Sequence, residues 1–343
     1  MTVTNWNSRG LRDLLVGYQN DGKVLYFPNI GSRTNPVFAS SNLVQAGGAD
    51  ICLPSPNNCG APAPCVCDFD HDGLHDLLVG SGSDGNVYYY RNTNTANTPV
   101  FAPGIQLKVG ATSFGTYLGS RATPYWHDWD EDGLPDLLCG NGNGYVYFFR
   151  NIGTLQSPAF AAPVQIYAGG FPLYLDIRAV VRVFDWDGDG LKDLVGSSNS
   201  GVYWCRNTNS NAQPILQARV AIQAPRAGGS NLVNINTGPR MRLDLVDWNN
   251  DGVIDLLLGN ADGTVALYEG YCFGFQPSTM EVDNSLVLHW NSANYLKYTL
   301  WCGSDVNSIR ELVVSNFSSA GKWTSYTNPP AIGSRYFKVQ INP

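Results

Sequence analysis

Repeatedly along this 343-residue chain, a loop of acidic and small polar residues gives way to a short run of apolar ones. The runs read DLLVG from Asp76, DLLCG from Asp136 and DLLLG from Asp255, with the shorter DLVG from Asp193. Each has the length of a buried strand and not that of a helix. The one-residue shortening at Asp193 predicts a slightly different register there. A turn follows in every unit (Asn20-Asp21-Gly22, Asp84-Gly85, Asn143-Gly144, Ser200-Gly201, Asp262-Gly263), which is a hairpin signal. An aromatic strand comes next, as VLYFPN, VYYYRN, VYFFRN, VYWCRN and finally VALYEG. Asn29, Asn92, Asn151 and Asn207 then open a turn. Pro36, Pro99, Pro158 and Pro214 stand just beyond, each predicted to begin an outer strand, where a missing N–H is tolerated. A long loop, often carrying a Gly pair (Gly47-Gly48, Gly169-Gly170, Gly228-Gly229), returns to the next apolar strand and the next acidic loop.

The closing aspartates Asp13, Asp76, Asp136, Asp193 and Asp255 recur about every 60 residues, so the chain holds five units of four strands. Such units stack radially, and the expected architecture is all-β: a five-bladed β-propeller over 1–270. The first unit lacks most of its inner strand and the fifth lacks an outer strand after Gly270, so closure of the ring is expected to pair the two ends. From 277 the pattern changes to alternating runs such as SLVLHWN, YLKYTLW, ELVVSNF and RYFKVQIN. These predict a small C-terminal β-sandwich over 271–343.

Composition agrees with an all-β chain. Charged residues make up 14%, and Gly, Tyr and Trp are plentiful. The net charge of -7 is local, because 17 of the 28 acidic residues lie in the repeated loops and their degenerate first copy. Four divalent ions there would bring the formal charge to about +1. No Lys/Arg run points to nucleic acid, and no apolar run is long enough to insert into a membrane. Among eight cysteines, Cys52 and Cys59 bracket a Pro-rich loop and are a candidate disulfide, as are Cys272 and Cys302. Cys139 and Cys205 fall on apolar strands, where a buried thiol is expected, and Cys65 and Cys67 share one strand face, which disfavours their pairing. An oxidising compartment is the expectation. No signal peptide opens the sequence, and the preferred reading is a secreted chain beginning after its removal, with Met added.

The loops carry the chemistry. In DWDEDGLPD, Asp128, Asp130, Asp132 and Asp136 stand at positions 1, 3, 5 and 9, with Gly133 at the sharp turn. Four carboxylates so close repel one another unless a cation sits between them. An all-oxygen donor set suits a hard cation such as calcium. Position 12 is Cys139, and an apolar strand follows, so the loop is not an EF-hand.

Taken together, DxDxDGxxDLLxG, GxVYxxRNxG and PxF resemble the FG-GAP or VCBS-type repeat of integrin-like propellers and secreted bacterial proteins and lectins, over roughly residues 5–270. The tail is similar in pattern to fibronectin-type modules. The resemblance implies one calcium per intact loop. Its ligands would be Asp68, Asp70, Asp72 and Asp76; Asp128, Asp130, Asp132 and Asp136; Asp185, Asp187, Asp189 and Asp193; and Asp247, Asn249, Asp251 and Asp255. The backbone carbonyls of Leu74, Leu134, Leu191 and Val253 would complete the sites. In the first copy Arg9 stands at a ligand position, so it is expected to pair with Asp13 in place of a metal, leaving about four calcium ions per chain.

Saturated loops of this kind staple a fold and are poorly suited to catalysis, which needs open coordination positions. The remaining propeller acids, Asp50, Asp176, Asp244 and Glu269, share no pattern that would make a glycosidase pair. His71, His75, His127 and His289 show no ligand or triad spacing. The chain is therefore read as not an enzyme. Arg121, Arg178 and Arg240 each precede their loop by seven residues, a spacing that would ring one mouth of the central channel and suit an anion such as an acidic sugar. Pairing with a neighbouring blade is the structural alternative, and Ala61 interrupts the ring in the second unit. The return loops 46–64, 110–124, 168–180 and 227–240 carry Phe114, Tyr117, Phe171 and Tyr174, with Tyr117 and Tyr174 as candidate glycan contacts and burial between blades as the equal alternative. The expected function is a secreted, calcium-stabilised adhesion or binding module whose partner is a glycan or cell-surface protein. The alternatives are a protein that self-assembles into an oligomer, filament or sheath and, third, a polysaccharide-cleaving enzyme.

Overall fold

The computed structural model describes residues 1–268, apart from 20, 34, 54–59, 226–231 and 251–253, and beyond them the backbone of six strands between Ser278 and Asn342. The chain forms two compact units, the second taking in Tyr268–Pro343.

The first unit is a five-bladed β-propeller. Each blade is an antiparallel sheet that runs outward in chain order. The inner strands are Thr2–Thr4, Ala63–Cys67, Thr123–His127, Val180–Phe184 and Arg242–Val246, each adjoining the next, with the last adjoining the first. The second strands are the apolar runs, Asp13–Tyr18, Asp76–Gly80, Asp136–Gly140, Asp193–Ser197 and Asp255–Gly259. From the second blade onward they are buried at every position, because neighbouring blades cover both faces. That is why they read as continuous apolar runs and not as an alternation. The aromatic third strands bury their first and last residues in blades two to four and leave the middle pair half-buried.

The glycine that ends these runs has a packing cause. A Cβ on Gly80 would lie 2.1 Å from the carbonyl oxygen of Ala122, and one on Gly140 would lie 2.2 Å from that of Ala179. In each case the obstacle is the backbone of the following blade as it enters its inner strand. Blade four solves the same contact differently. Its second strand keeps five residues and the same ladder with its neighbours, with Gly196 one position earlier and packed on Leu175, so the expected register change does not occur.

Two other expectations are corrected. The prolines do not begin outer strands. The chain after them makes isolated bridges and no ladder, Asn29 with Phe38, Asn92 with Phe101, Asn151 with Phe160 and Asn207 with Leu216; Phe101 and Leu216 also bridge Ala46 and Ala168, and Phe101, Phe160 and Leu216 turn into the core. The outer strands come later and are only two residues long, Asn42–Leu43, Ile105–Gln106, Val164–Gln165 and Val220–Ala221. The return loops, in turn, hold hairpins of their own, such as Gln45–Ala46 with Ala49–Asp50 and Tyr167–Ala168 with Phe171–Pro172. Their Gly pairs are the turns, with φ of 60° and 82° at Gly47 and Gly48. These hairpins seat Val44, Ile51 and Leu53, or Ile166, Leu173 and Leu175, in the hydrophobic clusters between consecutive blades.

Closure of the ring uses side chains. Blade one has its own three-residue inner strand, and blade five shows three strands among the described residues. The link is Asp244, which accepts from the Val3 amide (2.6 Å) and the Thr2 hydroxyl (3.2 Å) through one oxygen and from Arg182 Nε (2.6 Å) through the other. Arg182 lies over the Tyr125 ring at 4.8 Å. Inner strands from blades one, five, four and three are thereby joined through one buried ion pair.

In the second unit, Ser278–Val282, Ser285–Asn291 and Trp323–Asn328 form one antiparallel sheet, and Glu311–Ser318, Lys297–Gly303 and Tyr336–Asn342 another. No separate β-sandwich or fibronectin-type module is seen among the described residues, which here are backbone strands alone. The expected Cys272–Cys302 bridge lies outside them. Cys52 is an exposed free thiol, and its expected partner Cys59 also lies outside the described residues; Cys65, Cys67, Cys139 and Cys205 are free.

Replacing Gly140 by Ala is expected to destabilise the propeller by about 1–3 kcal/mol, since the obstacle is backbone. Gly259→Ala, which would meet the flexible Met1 side chain at 3.3 Å, should cost far less; urea midpoints measured in parallel test the contrast. Asp244→Ala should cost about 3–5 kcal/mol by stranding the buried Arg182 charge, read from the same denaturation curves.

Candidate metal centres

Each acidic loop ends on a fully buried carboxylate. Asp13, Asp76, Asp136, Asp193 and Asp255 are all 0% exposed. Asp76 accepts from the Phe69 amide at 3.1 Å, the Asn92 amide at 2.7 Å and the Tyr89 hydroxyl at 3.1 Å. Asp136 accepts from the amides of Trp129 (3.0 Å) and Asn151 (2.8 Å), and Asp193 from the Asn207 amide (2.7 Å) and Trp204 Nε1 (2.9 Å). The closing residue thus ties its own loop to the third strand and to the Asn turn beyond it. The Asn side chain continues the chain of bonds, as Asn151 Oδ1 accepts from the Gly153 and Ala159 amides.

The loops wrap their first aspartate. Asp68 takes the amides of Asp72 and Gly73, both at 3.0 Å, and Asp128 takes that of Gly133 at 3.2 Å. Gly73 and Gly133 both have φ of 87°. Position 4 is left-handed as well, in residues as different as Ser8 (55°), His71 (54°), Glu131 (54°) and Asn250 (65°). The motif does not disclose that requirement, because only glycine signals a positive φ strongly, Asn and His do so weakly, and Gly188 alone among these residues is a glycine.

This wrapping brings Asp68, Asp70 and Asp76 together with ligand atoms within 4.8 Å of one another, and likewise Asp128, Asp130 and Asp136, and Asp185, Asp187 and Asp193. The fit to a cation rests on the oxygens left over. Oδ1 of Asp70, Asp128, Asp130 and Asp185 is buried and has no hydrogen-bond partner. An unpartnered buried carboxylate oxygen is costly unless a cation meets it. With oxygen donors alone, calcium is the ion these residues fit. Such an ion would add a bridge between loop and strand and leave the carboxylates with little role beyond holding it.

Position 5 behaves otherwise. Asp72 receives the Leu74 amide at 2.9 Å and Arg91 Nη2 at 3.0 Å, and Arg91 Nε meets Asp70 at 2.5 Å. Arg150 repeats this on Asp130 (2.8 Å) and Asp132 (2.9 Å). In the second and third blades the Arg of the VYxxRN run is thus an outer clamp on the loop, a role the motif did not disclose. In the first blade the loop carries the cation itself. Arg9 Nε bonds Asn7 at 2.7 Å, with its Nη2 3.8 Å from Asp13. The expected Arg9–Asp13 pairing is present as a long contact, secondary to the Asn7 bond. In the fifth blade the Trp248 amide meets Asp255 at 2.8 Å, while Asp251 and Val253 lie outside the described residues.

The other acids do not converge. Asp50 meets Lys23 at 3.5 Å, Asp176 takes the Tyr174 hydroxyl at 3.3 Å and Asp244 is buried against Arg182, while Glu269 lies outside the described residues. His71 and His75 are exposed. His127, on an inner strand, is pushed down to about 4 by burial and by Lys192. The side chain of His289 lies outside the described residues. Phe114 is fully buried on Phe149, and Tyr117 packs edge-on against that ring at 6.2 Å, so both serve the core. Phe171 and Tyr174 are exposed, and Tyr174 sits 5.5 Å from Tyr145.

Two stretches match the FG-GAP-like repeat. They are residues 68–139 and 185–257, and each begins at the first aspartate of an acidic loop. The chain is also 26% identical to integrin alpha-4 of Xenopus laevis over 164 residues, which is 44% of this chain and 15% of that protein. Among solved structures, a lectin of Agrocybe aegerita described for its recognition of non-reducing terminal N-acetylglucosamine aligns over 95% of this chain and 84% of its own, at 16% identity and a TM-score of 0.39. A protein from Lactobacillus plantarum aligns over 100% and 87%, at 10% identity and a TM-score of 0.32. Similarity at that level carries no argument about ligands. The repeat match and the loop geometry together describe a β-propeller with calcium-type loops.

Burial raises Asp76 and Asp136 to about 6 in the absence of an ion, and the neighbouring Asp70 and Asp130 carboxylates add to it. Their folded values exceed the unfolded one, so this contribution to stability is complete below about pH 4 and lost as pH rises through about 6. The EDTA-treated protein should therefore lose melting temperature between pH 4.5 and 7. Added calcium should restore it most at pH 7, where no proton competes for the site. At free calcium about 100 times Kd, each site should contribute about 2.7 kcal/mol. Thermal scans across the pH range, with native mass spectrometry for ion count, check both.

Proposed function

We propose that this protein is a non-catalytic, calcium-associated extracellular module for binding or adhesion. The observation that carries the reading is where the acidic groups lie. The clustered ones are engaged in holding loop to strand, and Asp50, Asp176 and Asp244 each have a separate partner in a different part of the propeller. The likeness to integrin alpha-4 supports an adhesion-type, extracellular role, although this chain corresponds to a small part of that protein. No helix among the described residues is long and apolar enough to cross a membrane. About four calcium ions, one for each of the second to fifth loops, remain part of the proposal, with the carbonyls of Leu74, Leu134, Leu191 and Val253 as further ligands. So do the boundary at 270/271 and a β-sandwich beyond it.

Glycan is the ligand class the surface favours. The hairpin between blades three and four presents Phe171 (75% exposed), Tyr167 (56%) and Tyr174 (42%), with Asp176 and Arg219 beside Tyr174. Aromatic faces next to polar groups suit sugar rings. A second reading, self-assembly, draws on one recurrence. Ile105, Val164 and Val220 occupy the same outer-strand position in successive blades and are about 60% exposed (62%, 59% and 59%) on short unpaired edges.

A glycan array probed with the full chain in calcium, beside sedimentation velocity, separates the two. The expected result is saturable binding by a monomer and at least a tenfold loss in Phe171→Ala/Tyr174→Ala. Concentration-dependent filaments without glycan binding would move the conclusion to self-assembly.

A further inference from the structure

The residues that lead into the inner strands carry an unassigned feature. Ala61, Arg121, Arg178 and Arg240 occupy equivalent positions and have φ of 34°, 54°, 68° and 62°. Left-handed backbone is unfavourable for a residue with a Cβ, by about 1–2 kcal/mol. Here it is imposed by bonds to the preceding blade. The Arg121 amide donates to the Gly82 carbonyl (3.3 Å), that of Arg178 to Gly142 (3.0 Å) and that of Arg240 to the Asn199 side chain (2.9 Å).

Arg121, Arg240 and Arg242 line one cavity of about 610 Å³, together with Gln19 and Asn260. Most of its wall comes from blades one and five. Blade three adjoins neither, so the presence of Arg121 means that the cavity reaches the central channel. No acidic residue lines it. Arg178, Arg240 and Arg242 make no ion pair among the described residues. Arg240 Nη1 donates to Gln19, whereas Arg242 Nη1 is buried with no partner. Asp244 is already engaged on both oxygens. Burial lowers Arg178 and Arg242 to about 10, and repulsion from Arg121 and Arg240 adds to the shift. Cations held together without a counter-charge are costly, and an oxyanion relieves that cost through bidentate contacts.

We propose that the channel mouth formed by Arg121, Arg178, Arg240 and Arg242 binds an anionic ligand through a carboxylate or sulfate group, with acidic saccharides as the class. The saccharide body of that ligand rests on the glycan reading above; the anion site does not. The test is calorimetric titration of the full chain, in calcium at constant ionic strength, with glucuronate, inorganic sulfate and neutral N-acetylglucosamine. Glucuronate and sulfate should compete for one site. Arg178→Gln/Arg240→Gln should weaken both at least tenfold, while its ligand-free melting temperature stays level or rises as repulsion is removed. Unchanged affinity in the variant, or no saturable binding of either anion to the wild type, would overturn the site. Sulfate binding without glucuronate binding would keep the site and overturn the saccharide class. If array glycans bind the variant as well as the wild type, the glycan reading stands and the channel plays no part in it. If anions bind and no array glycan does, the site stands and the glycan reading fails.

Discussion

The propeller depends on a carboxylate that is fully buried five times over. The closing aspartates Asp76, Asp136 and Asp193 all accept from the Asn turn, Asp76 and Asp136 also from the loop before them, and Asp76 and Asp193 from the aromatic strand after them. A carboxylate with no exposure is tolerated only when its oxygens are met by donors or a cation. Blades two and three each supply two backbone amides and a loop shaped to deliver a metal, and blades two and four add an aromatic donor. The first blade shows which of these is dispensable. It keeps Asp13 with its Asn29 amide (2.8 Å) and Tyr26 hydroxyl (3.2 Å), yet replaces the acidic loop with Asn5, Asn7 and Arg9. The amide bonds are thus the constant part of the blade, and the metal loop is an addition to it.

Much of this was legible beforehand because its causes are local. The strands, the blade count and the loop positions follow from apolar runs, hairpin turns and alternating carboxylates, each of which writes itself into a few adjacent residues. What could not be read came from other blades. Gly80 and Gly140 look like ordinary strand ends until the carbonyls of Ala122 and Ala179 are placed against them. Asp244 looked like one acid among several and proved to be the closure of the ring, a contact with Val3 across 241 positions of sequence. Arg91 and Arg150 drew no role from the motif and proved to clamp the loop carboxylates. The prolines misled for a related reason. A PxF run satisfies every local criterion for an edge strand, but the pull of Phe101 and Phe160 into the core between blades leaves isolated bridges and no ladder.

The two kinds of charge in this molecule are therefore placed by different logic. The carboxylates sit within single blades, where hydrogen bonds and a cation neutralise them in the same few residues that set the strand geometry. The arginines sit at the seams, where the amide of one blade bonds to the turn of the one before. Arg178, Arg240 and Arg242 make no ion pair among the described residues, whereas the deeper Arg182 meets a carboxylate of the next blade. A ring assembled from such units concentrates positive charge at its axis as a consequence of closing. Stability alone would favour apolar residues there, since a buried guanidinium without a partner opposes folding. Cations retained at a convergence point, against that cost, are best understood as facing something that arrives from solution.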